Sequence, residues 1–261
     1  MENHLLNICF ALFLIGIMIS LYSLWWSTEG LQKLIKWIIR LALLFLTIAI
    51  IARIVETGRL PFASLYEFVL AFTWAILCFF VITRRRFYSP IFDLLSNILV
   101  VGLLLAASFL PTEARPLMPA LQSNWLHIHV FTAIIAYGSF AVSFCLAGVY
   151  MFQENRATVI ELRPLDQLIY RLVVLGFIFL SLVIITGAIW AEQVWGNWWT
   201  WDPKETWSLV TWLVYAAYLH ARHTYNWKGR RSAVMVLIGF GLVLITLFGV
   251  SLILPGLHSY I

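Results

Sequence analysis

Charge is the scarcest commodity in this sequence: only 11% of its 261 residues are Asp, Glu, Lys or Arg, against about 25% in an ordinary soluble domain. With 62% of the residues hydrophobic, a water-soluble fold of this length could not hide its apolar surface, so that class is excluded and the excess must face lipid. Cysteine is also sparse. Cys9, Cys78 and Cys145 lie inside apolar runs without CxxC spacing, which excludes a disulfide framework and a thiolate metal centre and leaves them as small buried hydrophobes. No internal repeat and no low-complexity linker divides the chain. Proline is missing from the interiors of the apolar runs, so the broken midplane helices of many secondary transporters are not expected. The first run has no small-residue cleavage site and is followed by more of its kind, so it reads as a retained helix and not a signal peptide.

Eight apolar stretches are present, near 5–24, 37–54, 64–83, 91–110, 127–152, 169–191, 206–223 and 232–254. Each approaches the roughly 20 residues needed to cross a hydrocarbon core. A net charge of +5 and a pI near 9.2 would point a soluble protein toward nucleic acid, but here the cations sit in short loops and no nucleic-acid partner is expected. Thirteen lie in odd-numbered loops: Lys33, Lys36 and Arg40; Arg84, Arg85 and Arg86; Arg156, Arg163 and Arg171; Arg222, Lys228, Arg230 and Arg231. Only Arg53, Arg59, Arg115 and Lys204 lie elsewhere. Cytoplasmic loops carry the excess of Lys and Arg, so both termini and the even loops are expected on the non-cytoplasmic side. The expected fold is an all-α integral membrane protein, a bundle of about eight transmembrane helices forming one polytopic domain over residues 1–261. Its chemistry must then use helix ends and the long outer loops, 111–126 and 192–205.

The second of these opens a tryptophan-rich segment, 192–207, in which Trp195, Trp198, Trp199, Trp201 and Trp207 fall within thirteen residues. An aromatic belt at the membrane interface accounts for one or two of them. A dense cluster containing Gly196 and confined to one side instead offers flat apolar faces on which a large aromatic ring system can lie. Asp202, Pro203 and Glu205 read as N-cap, first and third positions of a helix, which would fix that shelf in place.

Of the six histidines, His4 is terminal. His127 and His129 enter the fifth apolar stretch from the outer loop, and His258 follows the eighth, so the predicted topology puts all three on the side of the tryptophans. Imidazole is a common axial ligand of heme iron, and two on opposite faces saturate it. His220 lies near the inner end of the seventh stretch, about 22 Å along a helix from Glu205; an ionisable group there marks function by default, although capping or snorkelling beside Arg222 and His223 is the plainer alternative.

At these residues the chain resembles the CcsA family, also called ResC, of cytochrome c maturation proteins, within the heme-handling superfamily that shares a tryptophan-rich WWD loop. The likeness rests on Trp195-Gly196 through Trp198-Trp199-Thr200-Trp201-Asp202 to Glu205, on Ser123 to Val130 containing His129, on Tyr218-Leu219-His220-Ala221-Arg222 and on Gly256-Leu257-His258-Ser259-Tyr260, with Pro61 through Tyr66-Glu67 resembling a further element. It runs from about residue 61 to the end. The resemblance implies that His129 and His258 ligate the iron of heme b, here a substrate, above a binding surface formed by Trp195, Gly196, Trp198, Trp199, Trp201, Asp202 and Glu205. It implies that His220 belongs to an inner heme site. It further implies a subunit of a cytochrome c synthase, or heme lyase, that carries heme outward and, with a CcsB (ResB) membrane partner, attaches it to the CxxCH cysteines of apocytochrome c. The setting would be the bacterial cytoplasmic membrane or the thylakoid membrane, with the tryptophan loop facing periplasm, outside or lumen. A transmembrane b-type electron carrier and a membrane assembly scaffold are the rival readings; the first would want facing histidine pairs within the bundle, where only His220 qualifies.

Overall fold

The computed structural model describes residues 2–113, 118–154 and 162–254. Among them, regular structure is helical throughout: α1 (Glu2–Tyr22), α2 (Glu29–Thr57), α3 (Leu65–Arg84), α4 (Pro90–Ser108), α5 (Asn124–Gln153), α6 (Leu162–Trp195), α7 (Pro203–Thr224) and α8 (Arg230–Ile253), with a short 3₁₀ turn at Pro119–Gln122. Seven of the eight are long and apolar enough to cross a membrane. The exception, α7, is long enough at 22 residues but more polar. The fold is therefore that of a multi-pass membrane protein of about eight helices.

The helices outrun the apolar stretches at several ends, because a polar turn continues a helix whenever its free N–H groups find acceptors. Thus α2 starts at Glu29, ahead of the apolar run at 37, where Thr28 Oγ1 accepts from Leu31 N–H at 3.4 Å and Lys33 pairs with Glu29 at 3.6 Å. Near its other end, α8 passes through one π turn at Ile245–Gly249.

The chain forms two compact units. The first comprises residues Met1–Pro61 and Tyr66–Thr112, with α1 packed against α2 and α4. Charges are scarce enough that every buried one needs a partner. Glu67, fully buried, accepts from Arg53 at 3.2 Å and from Arg59 at 2.8 Å. Arg53 also reaches the Thr112 carbonyl at 2.7 Å, and Tyr66 Oη donates to Glu2 at 2.6 Å. At the opposite end of α3, Arg84 grips Asp93 with two bonds of 2.7 and 2.9 Å.

The second unit comprises Phe62–Leu65 and Glu113–Ile261. Its centre is α5, flanked by α6 and α8, while α7 lies against α6 and α8. At mid-height the rings of Phe140 and Tyr215 stack at 3.8 Å and 4°. One end of the unit is clamped by a buried ion pair in which the two terminal guanidinium nitrogens of Arg222 in α7 donate to Asp166 of α6 at 2.8 Å. Asp166 also accepts from Gly229 N–H at 3.1 Å, Arg222 donates to Ser232 Oγ at 2.9 Å, and its guanidinium lies 4.8 Å over the Tyr170 ring.

Candidate functional site

The loop between α6 and α7 is held at both ends by backbone chemistry. Gly196 closes α6 in the left-handed region, φ +72°, with its N–H on the Glu192 carbonyl at 2.8 Å; a residue without Cβ adopts that cap at no steric cost. At the far end Asp202 is the N-cap of α7, its Oδ1 accepting from Lys204 N–H at 2.9 Å, with Pro203 in the first turn and a complete capping box to Glu205. The capping expected from the sequence is present, and both carboxylates are engaged with backbone N–H groups.

Between the caps stand the indoles. Trp198 is 60% exposed and Trp201 68%, whereas Trp199 is half-buried and meets Trp201 edge to face at 5.8 Å and 87°. Trp201 adopts φ +59°, a left-handed conformation costing a bulky residue about 1–3 kcal/mol. Glu205 holds it there. Its Oε2 accepts from Thr200 N–H at 2.8 Å and from Asp202 N–H at 3.2 Å, on either side of the strained residue, and Thr206 Oγ1 donates to the Trp201 carbonyl at 3.3 Å. Glu205→Ala is accordingly expected to release Trp201 toward an ordinary conformation, seen as altered acrylamide quenching of tryptophan emission; Asp202→Ala should cost about 1 kcal/mol of stability through its lost cap.

His129, in the second turn of α5, is half-buried against α6. Its Nδ1 lies 3.0 Å from the Val183 carbonyl. A carbonyl only accepts, so Nδ1 donates in this bond, and in the neutral form of such a ring the lone pair is on Nε2. The ring stacks on Trp190 at 6.2 Å and 21°, and Trp190 meets Trp195 edge to face at 4.9 Å. Trp190, almost fully buried, donates its Nε1–H to the Ala120 carbonyl at 3.0 Å, and Ser123 Oγ donates to Gln193 Oε1 at 3.1 Å. His129, Trp190 and Trp195 thus form one aromatic line from α5 to the rim of the tryptophan loop.

The other candidates fall elsewhere. His127 faces Phe62 at 6.1 Å. His220 is exposed on α7, in a stripe with Leu213 and Ala217, with Thr224 Oγ1 at 3.5 Å and Tyr225 edge-on at 5.9 Å. Arg59, one of the four cations outside the odd-numbered loops, is engaged with Glu67. His258 and Arg115 lie outside the described residues. Sequence reasoning passed over Trp190, a tryptophan outside the motif, and Val183, whose contribution is a main-chain carbonyl without any sequence signature.

The donor set suits a large flat substrate carrying a metal and acidic edges. It offers a backbone-anchored imidazole, exposed indole faces, and the buried Trp199 Nε1–H, for which the described residues supply no acceptor.

These features define a class: polytopic helical membrane proteins that present an indole shelf beside an anchored imidazole. Residues 62–258 match the family model described as Cytochrome C assembly protein. Proteins named Cytochrome c biogenesis protein CcsA are 32% identical in a strain of Prochlorococcus marinus, covering 97% of this chain and 92% of that one, and 38% identical in Chlamydomonas reinhardtii, covering 83% and 65%. The solved structure of Cytochrome c Heme Lyase CcmF superposes with a TM-score of 0.72 at 17% identity, covering 95% of this chain and 46% of that one. The chain thus spans about half the length of that protein, and at this identity the likeness is one of fold. The chain belongs to the CcsA family of cytochrome c assembly proteins.

Proposed function

We propose that this chain holds heme b, as a substrate, on the outer face of an energy-transducing membrane and presents it for attachment to apocytochrome c. A role in cytochrome c biogenesis comes with the family; the heme site is our reading. The observation that carries it is the line from the Val183 carbonyl through His129 and Trp190 to Trp195, which sets an imidazole with Nε2 as its coordinating atom beside a shelf of indoles. Metal-ligating histidines commonly donate their other N–H to such a carbonyl, which fixes the tautomer and raises ligand basicity.

On this reading His129 supplies one axial ligand and His258 the other, while Trp195, Gly196, Trp198, Trp199 and Trp201 shape the surface under the macrocycle. Asp202 and Glu205 hold that surface in place. Thioether formation then adds each CxxCH thiol across a heme vinyl group: a sulfur–carbon bond forms, the thiol proton ends on the neighbouring vinyl carbon, and no net oxidation occurs. The protein contributes positioning, which lowers a barrier by several kcal/mol when reactants are held near their attack geometry. His220 forms part of an inner heme station. Its exposure on α7 suits a site completed by an imidazole from a CcsB (ResB)-like membrane partner. The tryptophan loop faces periplasm or lumen, as the loop charges favour.

Purification of the chain with such a partner is expected to yield heme with a bis-histidine low-spin absorption spectrum; protein that stays heme-free after gentle purification would sink the reading in favour of a scaffold. His220→Ala should lower outer heme occupancy while leaving its spectrum unchanged, and normal occupancy in that variant would remove the inner station.

A further inference from the structure

We infer that Gly187 is the positioning residue for the axial imidazole: the side chain it omits from α6 is the socket that seats His129 on the Val183 carbonyl. The inference rests on the heme reading above and deepens it. Val183, Gly187 and Trp190 stand at i, i+4 and i+7 on one face of α6, the spacing that stacks residues over one another. Each does one thing to the ring. The Val183 carbonyl takes the Nδ1 proton at 3.0 Å. Trp190, a turn beyond the gap, covers a ring face at 6.2 Å and 21°.

Gly187 supplies the room between them. A Cβ there would stand 2.8 Å from His129 Cε1 and 2.9 Å from Nδ1, and the three nearest atoms it would meet all belong to His129. The ring can yield only by moving away from α6, and that movement lengthens its 3.0 Å bond to the main chain. A methyl group at 187 therefore drives the imidazole off the carbonyl and swings Nε2 away from its place. Glycine inside a helix costs about 1 kcal/mol relative to alanine, so alanine would strengthen the isolated helix, and any loss in Gly187→Ala comes from the ring it meets.

The test compares heme bound to the partner complex in four forms: wild type, Gly187→Ala, His129→Ala and the double variant. Gly187→Ala is expected to lose the low-spin bis-histidine bands in favour of high-spin heme, and added imidazole, which would meet the same methyl group in the socket, is expected to restore them less than in His129→Ala. In the His129→Ala background the same substitution should change nothing further, because the ring is gone. A wild-type spectrum in Gly187→Ala, together with a lost one in His129→Ala, overturns the socket while leaving the heme reading intact. A wild-type spectrum in His129→Ala removes His129 as a ligand and the socket with it, whereas a wild-type complex that holds no heme overturns the heme reading itself. Equal further losses from Gly187→Ala in both backgrounds, or failure of the double variant to accumulate where His129→Ala does, would show a merely structural glycine and also overturn the socket.

Discussion

Replacing His129 with alanine is expected to abolish the low-spin bis-histidine spectrum of the heme-loaded complex, and added imidazole should restore part of it. The expectation follows from where the ring sits. The Val183 carbonyl holds Nδ1 and Trp190 lies along one face, so on the proposed reading deletion removes a ligand whose orientation was fixed in advance. The vacated space lies between α5 and α6 next to Gly187. It is lined by the Val183 carbonyl and an indole, which suits a free imidazole. Rescue is expected to be incomplete, because a free ligand surrenders translational and rotational freedom on binding that the tethered ring had already given up. His258→Ala should have the same spectral effect if the second ligand is the one the family resemblance implies. An unchanged spectrum in both variants would rule out the ligand assignment.

The largest loss of stability is expected from Asp166→Ala. Its carboxylate takes two Arg222 nitrogens at 2.8 Å and the Gly229 N–H at 3.1 Å, with both side chains about nine-tenths buried. Removing one member of such a pair leaves an uncompensated buried charge, at a cost of about 3 kcal/mol or more. Arg222 sits in the last turn of α7, where its long stem lets the guanidinium reach toward water, so the lower end of the range applies. Unfolding in mixed detergent followed by tryptophan emission should show an earlier midpoint for Asp166→Ala, and Asp166→Ala combined with Arg222→Ala should unfold later than Asp166→Ala alone, since the double variant strands no charge. A single variant as stable as wild type would refute the clamp.

Much of the site was legible because its signals are local. Asp202, Pro203 and Glu205 announced a capped helix by type and spacing alone, and the capping box is there. The end of α6 was less legible: the sixth apolar stretch stops at 191, Gly196 stands out in the sequence only as part of the indole cluster, and it is the structure that shows it closing the helix at φ +72°. Trp201 was legible as an indole but not as a strained residue, because nothing in tryptophan itself asks for φ +59°; Glu205 imposes it from four residues away through two main-chain N–H groups. His129 was legible as a histidine near the right end of α5. Its tautomer was not, because the group that sets it is a carbonyl 54 residues away, and a carbonyl is present at every position of every sequence.

The same division holds for the fold. That the chain crosses a membrane about eight times, and is helical where it does so, follows from composition: lipid offers no hydrogen bonds, so each span must satisfy its own backbone and show an apolar surface. The tryptophan loop was fixed at the same level, by residue type and spacing. Which faces of α5 and α6 meet, which glycine makes room for which ring, and that His220 stands on the exposed side of α7 were decided only by packing. Those outcomes depend on the fit of side chains brought together from distant parts of the chain, and in helices apolar nearly all the way round, hydrophobic periodicity is too weak to say in advance which face will turn inward.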